Sequence, residues 1–85
     1  MRILYSAKFA RQYKKLPAPV KERAEKREAI FRKNPFDARL KTHKLSGSLG
    51  DFYAFSVDQS YRIIFDLPQE GSARFYEVGD HNIYD

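Results

Sequence analysis

The feature that most constrains this chain is a change of hydrophobic period at Pro35. Before it, apolar residues recur at the spacing of a helix; after it they alternate in twos, so helices must come first and strands after. Arg2 to Tyr5 reads as a short opening strand, and Ser6 suits a helix N-cap because its hydroxyl can accept a first-turn amide. Phe9, Tyr13 and Leu16 share one face of a first helix, expected to end near Leu16, with Lys8, Arg11, Lys14 and Lys15 outside. Pro17 and Pro19 mark the turn, and Pro19 fits an opening helical position, where its missing N–H costs nothing. Val20, Ala24, Arg27 or Glu28, and Phe31 form the inner stripe of a second helix, which Asn34-Pro35 closes because a residue before proline disfavours the α region.

Beyond Pro35 the chain reads as short strands. Leu40 to Leu45 is a candidate, followed by turn chemistry in Ser46-Gly47-Ser48-Leu49-Gly50. Tyr53, Phe55 and Val57 then alternate with the smaller or polar Ala54 and Ser56. The Asp58-Gln59-Ser60 turn is short enough to require an antiparallel neighbour, Tyr61 to Leu67, with Tyr61, Ile63 and Phe65 on one face and Arg62, Ile64 and Asp66 on the other. Ala73 to Val78 supplies the last strand. The expected fold is α+β, in the order β-α-α-β-β-β, with a two-helix hairpin packed on a mostly antiparallel sheet of about four to five strands. Residues 1–85 form one domain, since a chain of this length has a core for no more than one.

Charge is divided unevenly. Residues 1–44 carry 14 basic and 4 acidic side chains, whereas residues 45–85 carry 2 and 7. The basic half suits a polyanion or an acidic peptide as partner. Cysteine is absent, which excludes disulfides and thiolate chemistry, and no run approaches the ~20 apolar residues of a membrane span, so a soluble cytoplasmic protein is expected. Two histidines 38 positions apart, without spaced carboxylates, give no metal-binding pattern.

Four residues stand out for chemistry. Arg62 puts a permanent charge in an apolar strand, which is costly unless it meets a carboxylate (Asp58, Asp66 or Glu77), a bound phosphate or the open face of the sheet. His81 follows Gly79-Asp80 after the last strand, where a histidine can move protons near neutral pH. His43 is a second candidate, at a strand edge. Tyr84 can donate to a phosphate or stack on a base, or else dock the tail with Ile83. Tyr53, Phe55, Tyr61 and Phe65 suggest a base-stacking platform, but their alternation assigns them to the core.

Taken together, these pieces resemble the RelE/ParE superfamily of toxins from toxin–antitoxin pairs, over nearly the whole chain. The resemblance rests on the opening strand, Ser6-x-x-Phe9-x-x-x-Tyr13-Lys14-x-Leu16, His43-x-Leu45-x-Gly47, Tyr61-Arg62-Ile63-Ile64-Phe65 and Gly79-x-His81-x-x-Tyr84. The His-x-Leu-x-Gly and Gly-x-His pieces look most like the RelE and YafQ branch, whose members cleave messenger RNA in the ribosome. The resemblance implies a metal- and cofactor-free endoribonuclease in which the RNA 2′-hydroxyl attacks its own phosphate. It also implies a cognate antitoxin protein as partner, beside mRNA and ribosome.

By the same resemblance Arg62 matches the strand arginine that stabilises phosphate, His81 and His43 match proton-transfer positions, and Tyr84 stands near the terminal aromatic. Lys41, Lys44 and Ser56 are the expected RNA contacts. The chain departs from the pattern at Ala54 and Ser56, where RelE-like members carry lysines, at Ser56 again, where the YafQ-like branch carries a histidine, and at Ser60, which replaces an acidic residue. The catalytic set is incomplete to that extent, which keeps two alternatives open: a ParE-like toxin that inhibits gyrase without catalysis, and a catalytically weakened antitoxin-binding homologue.

Overall fold

Ser6 starts the first helix as its position suggests: in the computed structural model, which describes residues 1–47 and 50–80, its hydroxyl accepts the Phe9 amide at 2.9 Å and itself donates to the Tyr76 carbonyl at 2.7 Å. One side chain thus caps the helix and fastens it to the last strand. Strand β1 (Arg2–Tyr5) precedes this helix, α1 (Ala7–Lys14), which stops two residues short of Leu16. Helix α2 (Ala18–Lys33) follows, with Pro19 in its first turn. Of the expected stripe Val20, Ala24 and Phe31 are buried while Arg27 and Glu28 are only half-buried, and Asn34 ends the helix in extended conformation before Pro35.

The segment expected as a strand from Leu40 to Leu45 is mostly something else. Ala38–Leu40 forms a single 3-10 turn capped by the Asp37 carboxylate, and only His43–Lys44 pair as strand β2. Local hydrogen bonding to Asp37 outcompetes the ladder here. Strands β3 (Tyr53–Ser56), β4 (Tyr61–Asp66) and β5 (Ser72–Asp80) complete a five-stranded sheet in the order β1-β5-β4-β3-β2. All neighbours are antiparallel except β1 and β5, which run parallel from Arg2 opposite Ser72 to Tyr5 opposite Phe75. The sheet is therefore mixed.

Phe31 holds the helix layer to the sheet. Its ring lies 5.0 Å from Phe55 on β3, 4.8 Å from Phe65 on β4 and 5.1 Å from Phe75 on β5, all fully or almost fully buried. One helical side chain thereby touches three strands, with the ring offsets and edge contacts that aromatic groups prefer. Tyr53 and Tyr61 pack half-buried against the same core, as alternation required. Ile64 and Ala54 point the other way, forming a small buried cluster with Leu45 and Phe52 on the opposite face. Ladder pairing on β4 and β5 shifts between Ile64 and Phe65, leaving Tyr76 as the extra residue of a β-bulge, its ring 4.8 Å from Phe52.

Register fixes which side chains share the face turned away from the helices. Ser56 lies opposite Arg62, and Arg62 opposite Gly79; Ala54, two residues from Ser56, lies opposite His43. Since side chains alternate along a strand, His43, Ser56 and Arg62 all belong to the face that carries Ile64 and Ala54. Among the described residues no helix is long and apolar enough to cross a membrane.

Candidate nucleic-acid interface

The turn between β3 and β4 is organised by Asp58. Its carboxylate Oδ1 accepts the amides of Ser60 at 2.8 Å and Tyr61 at 2.9 Å, an Asx turn built by a residue whose short side chain reaches its own backbone. Burial alone pushes the Asp58 carboxyl up, but those two amides and the Arg23 guanidinium outweigh it and hold the carboxyl below the usual carboxylate range. Its main-chain carbonyl takes two further bonds, from Ser56 Oγ and from Arg62 Nη1, both 2.7 Å.

Arg62 is thus anchored by carbonyls: Nη1 also donates to the Tyr61 carbonyl at 3.1 Å. None of the three carboxylates considered from sequence pairs with it. Asp66 is held by Arg74 at 3.0 Å, Glu77 by Lys8 at 2.9 Å and the Asp58 carboxylate by Arg23 at 3.1 Å. Neutral carbonyls orient a guanidinium without cancelling its charge, so among the described residues no carboxylate offsets half-buried Arg62.

An open cleft of about 680 Å³ adjoins this turn, lined by Arg23, Lys26 and Arg27 of α2, by Arg39 and Lys41 around the 3-10 turn, by Ser56 and by Arg62. Among the described residues, six cations therefore surround a space whose wall carries one carboxylate, Asp58. Two elements assemble it. Arg27 Nη1 donates to the Arg39 carbonyl at 2.7 Å, tying α2 to the turn, and Asp37 grips Arg39 through two side-chain bonds at 2.9 and 3.0 Å. The Arg39 guanidinium and amide hold the Asp37 carboxyl at about 2. Lys41 occupies the left-handed region at φ 54°, uncommon for a residue with a Cβ and a form of strain that collects at functional sites. Arg27, Lys41 and Arg62 make no ion pair among the described residues, and the exposed Arg23, Lys26 and Arg39 pairs are of the screened kind that contributes little.

Of the residues singled out in the sequence, Arg62, Lys41 and Ser56 come together in this cleft. His43 and Lys44 do not line it: both are exposed on β2, with His43 Nδ1 3.3 Å from the Lys41 carbonyl. His81 and Tyr84 lie outside the described residues. Arg23, Lys26, Arg27 and Arg39 also line the cleft, although in the sequence the basic helices stood out only as a whole and not by these positions. Spacing of three and four residues along α2 puts the first three on one helical face, a signal that was there, although one of them, Arg27, also fitted the inner stripe.

No protein-family model and no curated protein sequence matches the chain. Solved structures do. The YoeB/ParE toxin from Agrobacterium tumefaciens superposes with a TM-score of 0.82 at 14% identity, over 95% of this chain and 99% of that one. This is the RelE/ParE toxin fold. The E. coli DinJ-YafQ toxin–antitoxin complex matches with a TM-score of 0.76 at 23% identity, covering 94% of this chain and 91% of that one. The archaeal RelE-RelB complex from Pyrococcus horikoshii OT3 reaches 0.76 at 17% identity, covering 96% of each. The two helices on a five-stranded sheet are thus the arrangement expected from the sequence. Within the RelE/ParE fold, Arg62 occupies the middle of the sheet and the cationic cleft lies between α2 and the β3–β4 turn.

Proposed function

We propose that this chain is the toxin of a toxin–antitoxin pair, acting in the cytoplasm as an endoribonuclease on messenger RNA engaged with the ribosome. The observation that carries the proposal is Arg62, held by carbonyls so that its charge is unspent, at the wall of a cleft bearing five further cations. In this reading the RNA backbone lies along the cleft. Arg62 donates to the non-bridging oxygens of the scissile phosphate, and Lys41 and the α2 cations hold its neighbours.

The reaction needs no group beyond RNA and side chains. The 2′-oxygen forms a bond to the adjacent phosphorus as its proton leaves to a base. The bond from phosphorus to the 5′-oxygen breaks, and an acid protonates that oxygen, giving a cyclic phosphate and a free 5′-hydroxyl. His81 is our candidate for one proton transfer and His43 for the other. Gly79, two residues before His81 in sequence, pairs with Arg62, and His43 shares the Arg62 face of the sheet. Tyr84 is proposed as a phosphate or base contact, with Lys44 and Ser56 as flanking contacts. The partner that restrains this activity is proposed to be a cognate antitoxin, by analogy with the toxin–antitoxin complex of the same fold.

The test is cleavage of a translated message by purified protein with ribosomes. Arg62→Ala is expected to lower the rate by about 100-fold or more, as loss of one charge-stabilising donor does, and His81→Ala to depress it as well. Equal rates in both variants and the parent would sink the site assignment. Inhibition of gyrase supercoiling by a protein that leaves message intact would replace the proposal with the ParE-like reading, and unimpeded growth on expression would favour the catalytically weakened homologue.

A further inference from the structure

Helices α1 and α2 do not close on each other, and between them lies a groove of about 340 Å³ that plays no part in the cationic cleft. Its floor is buried and apolar: Phe9, Ala24, Ile63 and Phe75. Along one wall Tyr5, Phe9 and Tyr13 form a stacked ladder, with centroids 5.5 and 5.9 Å apart. The rim carries Glu25 and Glu28, two of only four carboxylates among the first 44 residues. The Tyr5 hydroxyl donates to Glu28, and the Tyr13 hydroxyl, 3.4 Å from both, is shared between the Glu25 carboxylate and the Lys21 carbonyl.

The chemistry of this groove is that of a cation receptor. Aromatic faces attract an ammonium or guanidinium group, and carboxylates at the rim reinforce the attraction. The fold already uses both halves of that preference on its own side chains: Lys21 Nζ sits 6.0 Å from the Tyr13 ring centroid, and Arg32 pairs with Glu28 at 3.4 Å. Glu25, by contrast, makes no ion pair among the described residues, and the Tyr13 hydroxyl near it is shared with the Lys21 carbonyl. An apolar floor below a charged rim matches a side chain with an aliphatic stem and a cationic head.

We propose that the α1–α2 groove is a docking site for a lysine or arginine side chain presented by a partner protein, its stem on Phe9, Ile63 and Phe75 and its head between the Glu25 and Glu28 carboxylates. Charge complementarity selects this occupant: an acidic, aromatic-lined groove stands within a half-chain that otherwise repels basic segments. The site lies away from Arg62 and is independent of any RNA chemistry.

The probe is n-butylammonium, with n-butanol as its neutral counterpart, titrated into the intact protein while the ring resonances of Tyr5, Phe9 and Tyr13 are followed by NMR. Saturable shifts of these rings are expected, with n-butylammonium binding at least about threefold tighter than n-butanol. That preference is expected to vanish in Glu25→Gln/Glu28→Gln and to shrink as salt is raised on the unaltered protein, a second reading that needs no variant to fold. Equal affinity for the two probes would overturn the proposal in favour of a plain apolar groove. So would the absence of shifts, or concentration-dependent self-association that broadens the same rings without probe, which would assign the groove to a second copy of the chain.

Discussion

At the residue scale, Arg62 shows how far a sequence can speak about a charge. An arginine in an apolar strand announces that something must satisfy it, and three carboxylates at plausible spacing were candidates. Register decided otherwise, since Asp66 and Glu77 each meet another cation first and the β3–β4 turn offers a carbonyl at 2.7 Å. Asp58 is therefore expected to matter more than an exposed turn aspartate should. Asp58→Ala removes the acceptor for the Ser60 and Tyr61 amides, and the turn that aims its carbonyl at Arg62 loosens. Stability is expected to fall by about 1–2 kcal/mol in denaturant melts, whereas Asp58→Asn, which can still accept both amides, should cost less. Acidification tests the same group. The folded-state Asp58 and Asp37 carboxyls are depressed, Asp37 to about 2, so each contributes stability that is present above its unfolded value and is lost as pH falls through the folded one. Melting temperature should therefore decline between about pH 4 and pH 2, and less steeply in the double variant Asp37→Asn/Asp58→Asn. An identical acid profile for the two proteins would show that neither carboxylate is held as described.

At the scale of elements, the change of period at Pro35 carried most of the fold, because the helices and the β3–β4 hairpin are each specified by local patterning that agrees with burial. What was not legible depends on partners distant in sequence. The parallel pairing of β1 with β5 joins residues about 70 positions apart and leaves no local mark. The bulge at Tyr76 arises from ladder slippage between β4 and β5, and the Ala38–Leu40 turn won over a strand through one capping carboxylate. Phe31 is the element-level test. Its ring contacts β3, β4 and β5 at once, so Phe31→Ala leaves a cavity shared by three strands and is expected to cost about 3–5 kcal/mol, a large part of the stability of a domain this small. Phe31→Leu keeps most of the volume and should cost less than half as much. Ser6→Ala removes the α1 cap and its bond to the Tyr76 carbonyl together, for an expected loss of about 1–2 kcal/mol. Chemical denaturation of the three variants measures all of these directly.

At the scale of the whole molecule, the uneven charge becomes a place. The excess of basic residues before position 45 was visible as a sum, but it is folding that turns α2 and the Arg39–Lys41 turn towards the β3–β4 turn and gathers six cations at one cleft, while Glu25 and Glu28 face the other side of α2. The sum named a class of partner and not a surface, because a helix can carry lysines and arginines on every exposed face. If the cleft tracks a nucleic-acid backbone, each cation that meets a phosphate releases a counterion, and the logarithm of affinity for single strands falls with the logarithm of salt by about 0.7 per contact. Lys26→Ala/Arg27→Ala/Arg39→Ala is therefore expected to weaken binding of a single-stranded RNA and to flatten its salt slope by about 2, measured by fluorescence polarisation across salt concentrations. The distribution of the effect is the decisive part. Replacing Lys8, Arg11 and Lys14 on α1 removes the same formal charge from a helix that does not line the cleft, and should leave the slope nearly unchanged. Equal flattening by the two triple variants would mean that RNA responds to net charge alone, and the cleft would lose its claim to be the interface.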